Sequence, residues 1–335
     1  MSSLLEDESA SRGAWQSWHA PDMPIQLGVS SCLLGESVRF DGGHARDRFV
    51  DETLGHWVSW TSICPEIELG MGTPRPSVRL VRGETGDRLI APKTGADFTD
   101  EMKAFTTKRV EPLADLDGYV FKRSSPSCGL ERISVYRENG HSLHRNAMGV
   151  YAQGLTERWP LLPVEEDGRL NDARLRENFI ERIFCRNRWR VLQSKGLSRE
   201  SLVAFHTAHK LLLRAHDETG YQRMGRLVAS FGTRPDAEVI HEYEAGFQHT
   251  LKVKTNAKLH TNVLHHSLGY LKKLLEPREK AEILAAIEDY RQGLLPLVVP
   301  LTLLRLFVVK YEIEYLDGQL YFDPHPKELM LRNHV

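Results

Sequence analysis

Three short apolar segments of this chain each run into a cysteine, and this repeated arrangement constrains the fold more than any other feature. The segments are 25–31, 57–63 and 118–121, and they precede Cys32, Cys64 and Cys128. Their length and composition predict buried strands, and the Pro and Gly that follow the third segment predict a turn. Because the carboxyl ends of parallel strands meet at one edge of a sheet, we expect the three cysteines to converge.

Three thiolates delivered by separate loops suit an iron–sulfur cluster, because cysteine sulfur is the preferred ligand of such clusters. Three protein ligands leave one iron of a four-iron cluster open, and an open iron can bind a substrate. The alternative is that the cysteines are small buried side chains, since free cysteine is among the most buried residue types. The chain has no CxxC pair, so it lacks both a compact metal motif and the resolving partner of a thiol–disulfide enzyme.

Four motifs surround these cysteines in order along the chain. They are Ser31-Cys32-Leu33-Leu34-Gly35, Val38-Arg39-Phe40-Asp41-Gly42, Cys64-Pro65-Glu66 and Ser125-Pro126-Ser127-Cys128-Gly129. Together they resemble the motifs of the TudS-type thiouracil desulfidases, over about the first half of the chain. The resemblance implies a 4Fe-4S cluster held by Cys32, Cys64 and Cys128. It also implies a catalytic glutamate and a catalytic serine, which correspond to Glu66 and Ser125.

The second half of the chain carries a different set of motifs. They are His209-Lys210-Leu211-Leu212, the segment from Asn262 through His266 to Gly269-Tyr270, and Pro300-Leu301-Thr302-Leu303-Leu304. These resemble the YbgA-type helical domain, which is found fused to the desulfidase domain. The two-domain arrangement is similar to the RudS branch, which is associated with removing sulfur from 4-thiouridine in transfer RNA.

The resemblance implies an enzyme that converts 4-thiouridine in tRNA to uridine and releases sulfide without net redox change. In this hypothesis the open iron binds the thiocarbonyl sulfur, while Glu66 and Ser125 assist attack by water and proton transfer. Single-domain relatives commonly have an acidic residue soon after Pro74-Arg75-Pro76, where this chain continues with Ser77. Their base specificity is therefore not carried over. Arg75 suits either a substrate contact or a structural ion pair.

Length and composition indicate a soluble globular protein of two domains, with 335 residues, 41% hydrophobic and 27% charged. We expect a polar tail over residues 1–22, an iron–sulfur α/β domain with helices flanking its sheet over 23–160, a linker over 161–171 and an all-α domain over 172–335. No apolar run approaches the roughly 20 residues that cross a bilayer, so no membrane partner is expected. The free cysteines predict a reducing, cytoplasmic location.

Basic residues are concentrated in the second half of the chain. Arg182, Arg186 and Arg190 recur every four residues on one face of a predicted helix, and Lys210 and Arg214 lie on the next. Residues 247–275 contain five lysines and no acidic residue. A polyanion such as RNA would be held by such faces through its phosphates. The alternative is that these charges only solvate a helix surface.

Three functions therefore stay open. The first is a tRNA desulfidase, and the second is the same chemistry on free thiouracil or another thiolated small molecule. The third is a non-catalytic nucleic-acid-binding protein with a structural zinc held by the cysteines. A second zinc site at His249, His260, His265 and His266 is not favoured, because their spacing does not match that of zinc ligands. The sequence assigns no oligomeric state.

Overall fold

The structure, a computed structural model, describes residues 14–334 in two compact units. One unit is formed by residues 24–172, and the other combines the residues up to 23 with those from 173 onward. The first is an α/β unit and the second is helical, which confirms the predicted fold class. Of the predicted polar tail, residues 1–13 lie outside the described part of the chain, and Ala14–Ser17 form a single helical turn, α1.

Eight strands and three helices make up the α/β unit. The strands are β1 (Ile25–Ser30), β2 (Val58–Ile63), β3 (Arg79–Arg82), β4 (Asp87–Ile90), β5 (Gly118–Phe121), β6 (Ile133–Tyr136), β7 (Ser142–Ala147) and β8 (Val164–Glu166). The helices are α2 (Pro65–Glu68), α3 (Thr99–Val110) and α4 (Val150–Arg158). A four-stranded parallel sheet has the order β2-β1-β5-β8, and a mixed sheet has the order β4-β3-β6-β7.

The parallel sheet is formed by the segments that the apolar runs predicted as strands. In β1 and β5 nearly every side chain is buried, which is typical of parallel strands covered on both faces. Gly28 lies where a Cβ atom would come within 2.1 Å of the Tyr119 ring, so the two strands approach closely only because this position has no side chain. The three cysteine-bearing strands are adjacent in this sheet.

The predicted linker over residues 161–171 is wrong, because this segment belongs to the α/β unit. Its residues Val164–Glu166 form the edge strand β8, which pairs in parallel with β5. The acidic residues of this segment accept hydrogen bonds from the turn that follows β5. Glu166 accepts hydrogen bonds from the backbone N–H groups of Leu130 (2.7 Å) and Glu131 (3.3 Å), and Asp167 accepts one from Arg123 (2.7 Å).

The helix α4 begins at Val150, shortly after the end of β7. The strand β7 pairs antiparallel with β6 in a hairpin. The hairpin turns at Asn139-Gly140, where Gly140 has φ of 87°. Glycine suits this position because it adopts a positive φ without steric cost.

Seven long helices and a final short one form the helical unit. They are α5 (Ala173–Ser194), α6 (Arg199–His216), α7 (Glu218–Ala229), α8 (Asp236–Lys252), α9 (Ala257–Leu271), α10 (Pro277–Arg291), α11 (Val298–Lys310) and α12 (Glu314–Asp317). Ser198 caps α6 in a reciprocal capping box with Ser201. No helix among residues 14–334 is long and apolar enough to cross a bilayer.

An aromatic cluster fills the core of the helical unit. Trp189 stacks on Tyr243 with ring centroids 5.2 Å apart, and Phe205 meets Phe247 edge-on at 5.1 Å. Trp18, next to the N-terminal turn, packs edge-on against Phe205 at 5.5 Å. Such ring pairs contribute stability beyond the area that they bury.

Candidate active site

The carboxyl ends of the three adjacent parallel strands each deliver one cysteine. Cys32 lies in a 3₁₀ turn that follows β1 directly, and Cys64 is the N-cap residue of α2, directly after β2. Cys128 lies in the turn that follows β5. Cys32 and Cys128 are only 8% and 7% exposed, and Cys64 is half-buried. None of the three forms a disulfide.

The turn that carries Cys128 is held by Ser125. The Ser125 hydroxyl oxygen accepts hydrogen bonds from the backbone N–H groups of Ser127 (3.3 Å) and Cys128 (3.0 Å). The backbone N–H of Gly129 donates to the Ser125 carbonyl at 2.7 Å. Ser124, at the start of the turn, has φ of 60°, an uncommon conformation for a residue other than glycine. Because its oxygen only accepts here, the Ser125 hydroxyl can still donate its own proton.

All five residues assigned to the cluster and to catalysis line one cavity of about 710 Å³ in the α/β unit. We call it the active-site cavity. It is lined by Ser30, Ser31, Cys32, Val38, Arg39, Phe40, Ile63, Cys64, Pro65, Glu66, Arg75, Ser77, Val78, Lys122, Arg123, Ser124, Ser125, Pro126, Cys128 and Arg145. Its volume is within the range of about 300–1,000 Å³ that is usual for small-molecule sites.

Glu66 is fixed at the wall of this cavity by two neighbours. Arg75 donates from Nε to Glu66 Oε2 at 2.9 Å and forms a second, shorter contact from its terminal nitrogen. The Ser127 hydroxyl donates to Glu66 Oε1 at 2.7 Å. Arg75 also donates to the carbonyls of Val38 (3.0 Å) and Gly72 (2.8 Å). Of the two roles open to Arg75, the structure shows the ion pair.

The three thiols share an electrostatic environment. Burial raises the pKa of Cys32 to about 11, partly opposed by the positive charge of Lys122. Burial also raises the pKa of Cys64, and it raises that of Cys128 well above the usual range, with the charge of Glu66 adding to the rise. A negative charge on Cys64 raises the pKa of each of the other two thiols. Three thiolates here repel one another, so a cationic group between them is required to hold all three ionised.

The chemistry of this donor set fits an iron–sulfur cluster. Thiolates from three loops around one cavity are the ligand type that such clusters take. Within residues 14–334, no three His, Cys, Asp or Glu side chains converge closely enough to hold one metal ion.

Ser127 and Lys122 are functional candidates that the sequence analysis did not single out. Ser127 is buried and bonded to Glu66, and the Lys122 ammonium lies 2.6 Å from a carboxylate oxygen of Asp167. The Ser30 hydroxyl accepts a hydrogen bond from the Lys122 backbone at 3.0 Å. Their place in the sequence could have indicated both residues, because Lys122 and Ser127 lie in the segment between β5 and Cys128.

The five basic residues predicted to contact RNA do not form one exposed stripe. Arg182 and Arg186 are only 9% and 7% exposed, because α5 is buried around almost its whole circumference between residues 179 and 189. Arg190 and Lys210 are half-buried. The Arg214 guanidinium donates to Glu218 at 2.7 Å. The predicted exposed face is therefore wrong for Arg182 and Arg186.

The lysine-rich segment is exposed, in contrast. All five lysines between residues 247 and 275 have solvent-accessible side chains, and none of them forms an ion pair with a described residue. They are Lys252, Lys254, Lys258, Lys272 and Lys273. Three of the five lie within α8 or α9 or directly after α9, so this part of the helical unit presents positive charge to solvent.

Comparison with known proteins assigns a family to each unit. Residues 27–167 match the family model of 2-thiouracil desulfurase, and residues 210–326 match that of a protein of unknown function, DUF1722. The uncharacterized protein YbgA of Escherichia coli is 30% identical over 165 residues, which are 49% of this chain and 98% of YbgA. The uncharacterized protein YbbK of Bacillus subtilis is 30% identical over 112 residues, which are 30% of this chain and 71% of YbbK.

Among solved structures, a [4Fe-4S]-dependent thiouracil desulfidase, TudS, is similar at 27% identity. The match covers 44% of this chain and 94% of TudS, with a TM-score of 0.35. The family models and the two curated relatives lead to the same assignment for the two units. The chain belongs to the 2-thiouracil desulfurase family through its α/β unit, which is fused to a YbgA-like helical domain.

Proposed function

We propose that this protein is an iron–sulfur-dependent desulfidase that converts 4-thiouridine in tRNA to uridine and releases sulfide. The observation that carries the proposal is the convergence of Cys32, Cys64, Cys128, Glu66 and Ser125 on one cavity. Membership of the 2-thiouracil desulfurase family supports the reaction type. The three cysteines would hold a 4Fe-4S cluster, and Glu66 and Ser125 would act on the substrate.

The reaction balances without an oxidant or a reductant. A thiocarbonyl and one water become a carbonyl and hydrogen sulfide, so the ring carbon exchanges sulfur for oxygen at the same oxidation level. The cluster, when bound, would supply a Lewis-acidic iron for the soft thiocarbonyl sulfur. The chain itself must supply the groups that move protons and hold the base.

Glu66 is placed to accept a proton from the attacking water. Oε2 accepts two hydrogen bonds from Arg75, whereas Oε1 accepts one from Ser127 and keeps a lone pair that can take a proton. An oriented carboxylate that faces a cavity is suited to general-base catalysis, which typically contributes about 10²–10⁴-fold in rate. Arg75 and Ser127 are positioning residues in this hypothesis.

Ser125 is placed to donate a hydrogen bond on the side of the cavity that carries Cys128. Its oxygen accepts two backbone N–H groups, which fixes the oxygen and leaves the hydroxyl proton free for a substrate atom. That atom is a ring nitrogen or the oxygen that develops negative charge at the attacked carbon. Apolar side chains complete the walls and exclude water around a planar base: Val38, Phe40, Ile63, Pro65, Val78 and Pro126.

An RNA substrate requires its thiolated base to leave the stack before it can enter this cavity. The exposed lysines between residues 247 and 275 support a polyanionic substrate, because they carry positive charge without paired carboxylates. Two candidate substrates are therefore considered for this one reaction. Free thiouracil is the small-molecule alternative, and it requires no basic surface.

The decisive experiment measures 4-thiouridine in bulk bacterial tRNA after incubation with anaerobically reconstituted protein. The tRNA is digested to nucleosides, and iron and acid-labile sulfide are measured on the same preparations. We expect the wild type to convert 4-thiouridine to uridine and Cys32→Ala to lose both cluster and conversion. Cys185→Ala is the matched control, because Cys185 is a buried thiol of the helical unit that does not line the active-site cavity.

Two results would contradict the proposal in different ways. If Cys32→Ala retains the cluster and full conversion, the three-cysteine assignment is wrong. If 4-thiouridine in tRNA survives while free thiouracil is converted by the wild type, the reaction stands and the RNA substrate is wrong.

A further inference from the structure

A second cavity of about 290 Å³ adjoins the active-site cavity in the α/β unit. The two cavities share four lining residues, Val78, Ser124, Pro126 and Arg145. The others that line the second cavity are Arg79, Leu80, Arg132, Ile133, Ser134 and Tyr136. We call it the arginine pocket, since three of its ten lining residues are arginines.

The arginine pocket is built on the mixed sheet. Arg79 comes from β3, Tyr136 from β6 and Arg145 from β7, and these strands are neighbours in the order β3-β6-β7. Three adjacent strands therefore place two guanidinium groups and an aromatic ring around one small volume. Because the strands are hydrogen-bonded to each other, these side chains start from a rigid base.

The guanidinium of Arg79 has no acidic partner among residues 14–334. It lies over the Tyr136 ring at 4.9 Å from the centroid, and its Nε is buried with no hydrogen-bond acceptor among the described residues. Burying such a donor without an acceptor costs free energy, unless a ligand supplies the acceptor. Arg145 donates from Nε to the Arg132 carbonyl at 3.1 Å, which directs the guanidinium but leaves its charge unpaired.

Most cations of the neighbouring active-site cavity are paired, in contrast. Arg39 meets Asp41, Arg75 meets Glu66, and Lys122 meets Asp167. No acidic side chain lines the arginine pocket. Arg132 reaches only the adjacent Glu131, at 3.6 Å, with its own side chain 78% exposed. Among the described residues, Arg79 and Arg145 of the arginine pocket have no ion pair, and neither has Arg123 of the active-site cavity.

We propose that the arginine pocket binds a phosphate of the substrate whose thiolated base occupies the active-site cavity. Guanidinium groups match phosphate oxygens in geometry and charge, and phosphate supplies the acceptor that Arg79 Nε lacks. This inference rests on the proposed function for the identity of the base. The phosphate is either the terminal group of a mononucleotide or a phosphodiester of a strand, which share the same charge and acceptor oxygens.

Binding of the reaction product tests the pocket without turnover. Uridine, uridine 5′-monophosphate and the dinucleoside monophosphate UpU are titrated into the anaerobically prepared holoenzyme by calorimetry. We expect the wild type to bind one or both phosphate-bearing ligands about 10- to 100-fold more tightly than uridine, from hydrogen bonds to a charged group. Arg79→Gln and Arg145→Gln should each lose most of this preference and keep their affinity for uridine within about twofold.

Arg137→Gln is the matched control, because Arg137 directly follows β6 and lines neither cavity. Loss of the preference in Arg137→Gln to the same degree would show a general charge effect and overturn the pocket. Equal binding of uridine and both phosphate-bearing ligands by the wild type would also overturn it. Arg145 is exposed, so its variant tests the pocket even if Arg79→Gln fails to fold.

The outcomes for the pocket and for the desulfidase are separable. A phosphate preference lost in Arg79→Gln, with no desulfuration of any thiolated substrate, would support the pocket and overturn the proposed reaction. Desulfuration by a wild type that shows no phosphate preference would support the reaction and overturn the pocket. Tighter binding of UpU than of the monophosphate supports the pocket with a strand as its source, and the reverse supports it with a free nucleotide.

Discussion

The two units of this protein both bury carboxylates and arginines, but they use them differently. In the α/β unit, Glu66 and Arg75 form a pair at the wall of the active-site cavity. In the helical unit, Arg332 lies between Glu177 and Glu181, at 3.2 Å and 2.7 Å from their oxygens. The second oxygen of Glu181 lies 3.2 Å from His216. Both oxygens of Glu181 are thus satisfied within the fold.

Buried charged pairs thus serve two purposes in this protein, one structural and one at the candidate active site. A buried ion pair is costly to desolvate, and breaking it by removing one partner leaves an uncompensated charge in the interior. In the helical unit that cost is met by mutual pairing across segments distant in the chain, which fixes the C-terminal residues to α5. In the α/β unit the pair lies beside three thiols and an open volume. Buried charge alone therefore does not mark an active site, whereas its convergence with nucleophilic or ligating groups does.

The pKa values of the helical cluster reflect its crowding. Burial, with the negative charge of Glu181 adding to it, raises the pKa of Glu177 to about 8. Burial acts in the same direction on Glu181, but the hydrogen bond to His216 and the charge of Arg332 outweigh it and hold the pKa of Glu181 below its usual range. One carboxyl of the pair therefore carries the negative charge, and the other keeps its proton near neutral pH.

The largest expected effect is on activity, through Glu66. Glu66→Gln keeps the size of the side chain and a carbonyl acceptor, but an amide cannot take a proton from water. We expect kcat for desulfuration to fall by about 10²–10⁴-fold, the usual contribution of a general base. Iron and sulfide content should equal those of the wild type. Unchanged turnover in a variant with a full cluster would exclude Glu66 from the mechanism. It would also mean that the Glu66–Arg75 pair has no catalytic role that distinguishes it from the Arg332 pairs.

The next effect is on stability, through Arg332. Arg332→Met leaves two carboxyl groups buried without their shared cation, and removing one partner of a buried pair typically costs about 3–5 kcal/mol. We expect a clear loss of thermal stability, followed by circular dichroism at 222 nm because the helical unit dominates that signal. Arg234→Met is the matched control, since Arg234 makes only exposed pairs with Glu238 and Glu242. Equal loss in both variants would mean that burial of the pair is not what matters.

Much of the candidate site could be predicted from the sequence, because it depends on strand ends. Cys32, Cys64 and Cys128 each follow an apolar segment, and parallel strands necessarily bring such positions to one edge. Glu66 and Ser125 lie within three residues of a cysteine, and they were assigned through the resemblance of the motifs that contain those cysteines. The contact between Glu66 and Ser127 was not predictable, because it joins residues 61 positions apart whose pairing depends on tertiary packing.

The failures of prediction have a common physical origin in long-range pairing. The acidic run before residue 168 resembled a linker, but its carboxylates accept backbone hydrogen bonds from the turn after β5. The helical period of Arg182 and Arg186 fits a solvent-exposed stripe as well as it fits a buried one. Period reveals which residues share a face of a helix, but it does not reveal whether that face is covered. The predicted fold class of each unit was correct in spite of these errors, because a fold class depends on many helices and strands.

A smaller effect is the pH dependence that Glu177 gives to stability. Its raised pKa means that between about pH 4.5 and 8 the folded state holds a proton that the unfolded state has lost. Stability should therefore fall as pH rises through this window. Glu177→Gln cannot ionise and should lose this slope, so its melting temperature relative to wild type should rise between pH 6 and pH 8.5. Each 1 kcal/mol corresponds to about 2–4 °C for a domain of this size.

The histidines of the helical unit do not confuse this measurement. Burial lowers the pKa of His209, His260 and His325, and all three are common to the wild type and Glu177→Gln. Their contribution cancels in the difference between the two melting curves. A difference that stays constant from pH 6 to pH 8.5 would contradict the raised pKa. It would also mean that Arg332 holds both carboxylates ionised.

The smallest expected effect concerns which unit holds a nucleic acid. Lys254→Gln with Lys258→Gln removes two exposed, unpaired charges from the lysine-rich segment. If each contacts a phosphate, the slope of log affinity for tRNA against log salt should become less negative by roughly 0.7–0.9 for each lysine. Affinity at moderate salt should fall a few-fold. Lys280→Gln, an exposed lysine of α10, controls for net charge. An unchanged slope would place phosphate recognition in the α/β unit alone, where the arginine pocket would carry it, and would leave the helical unit with no role in gripping RNA.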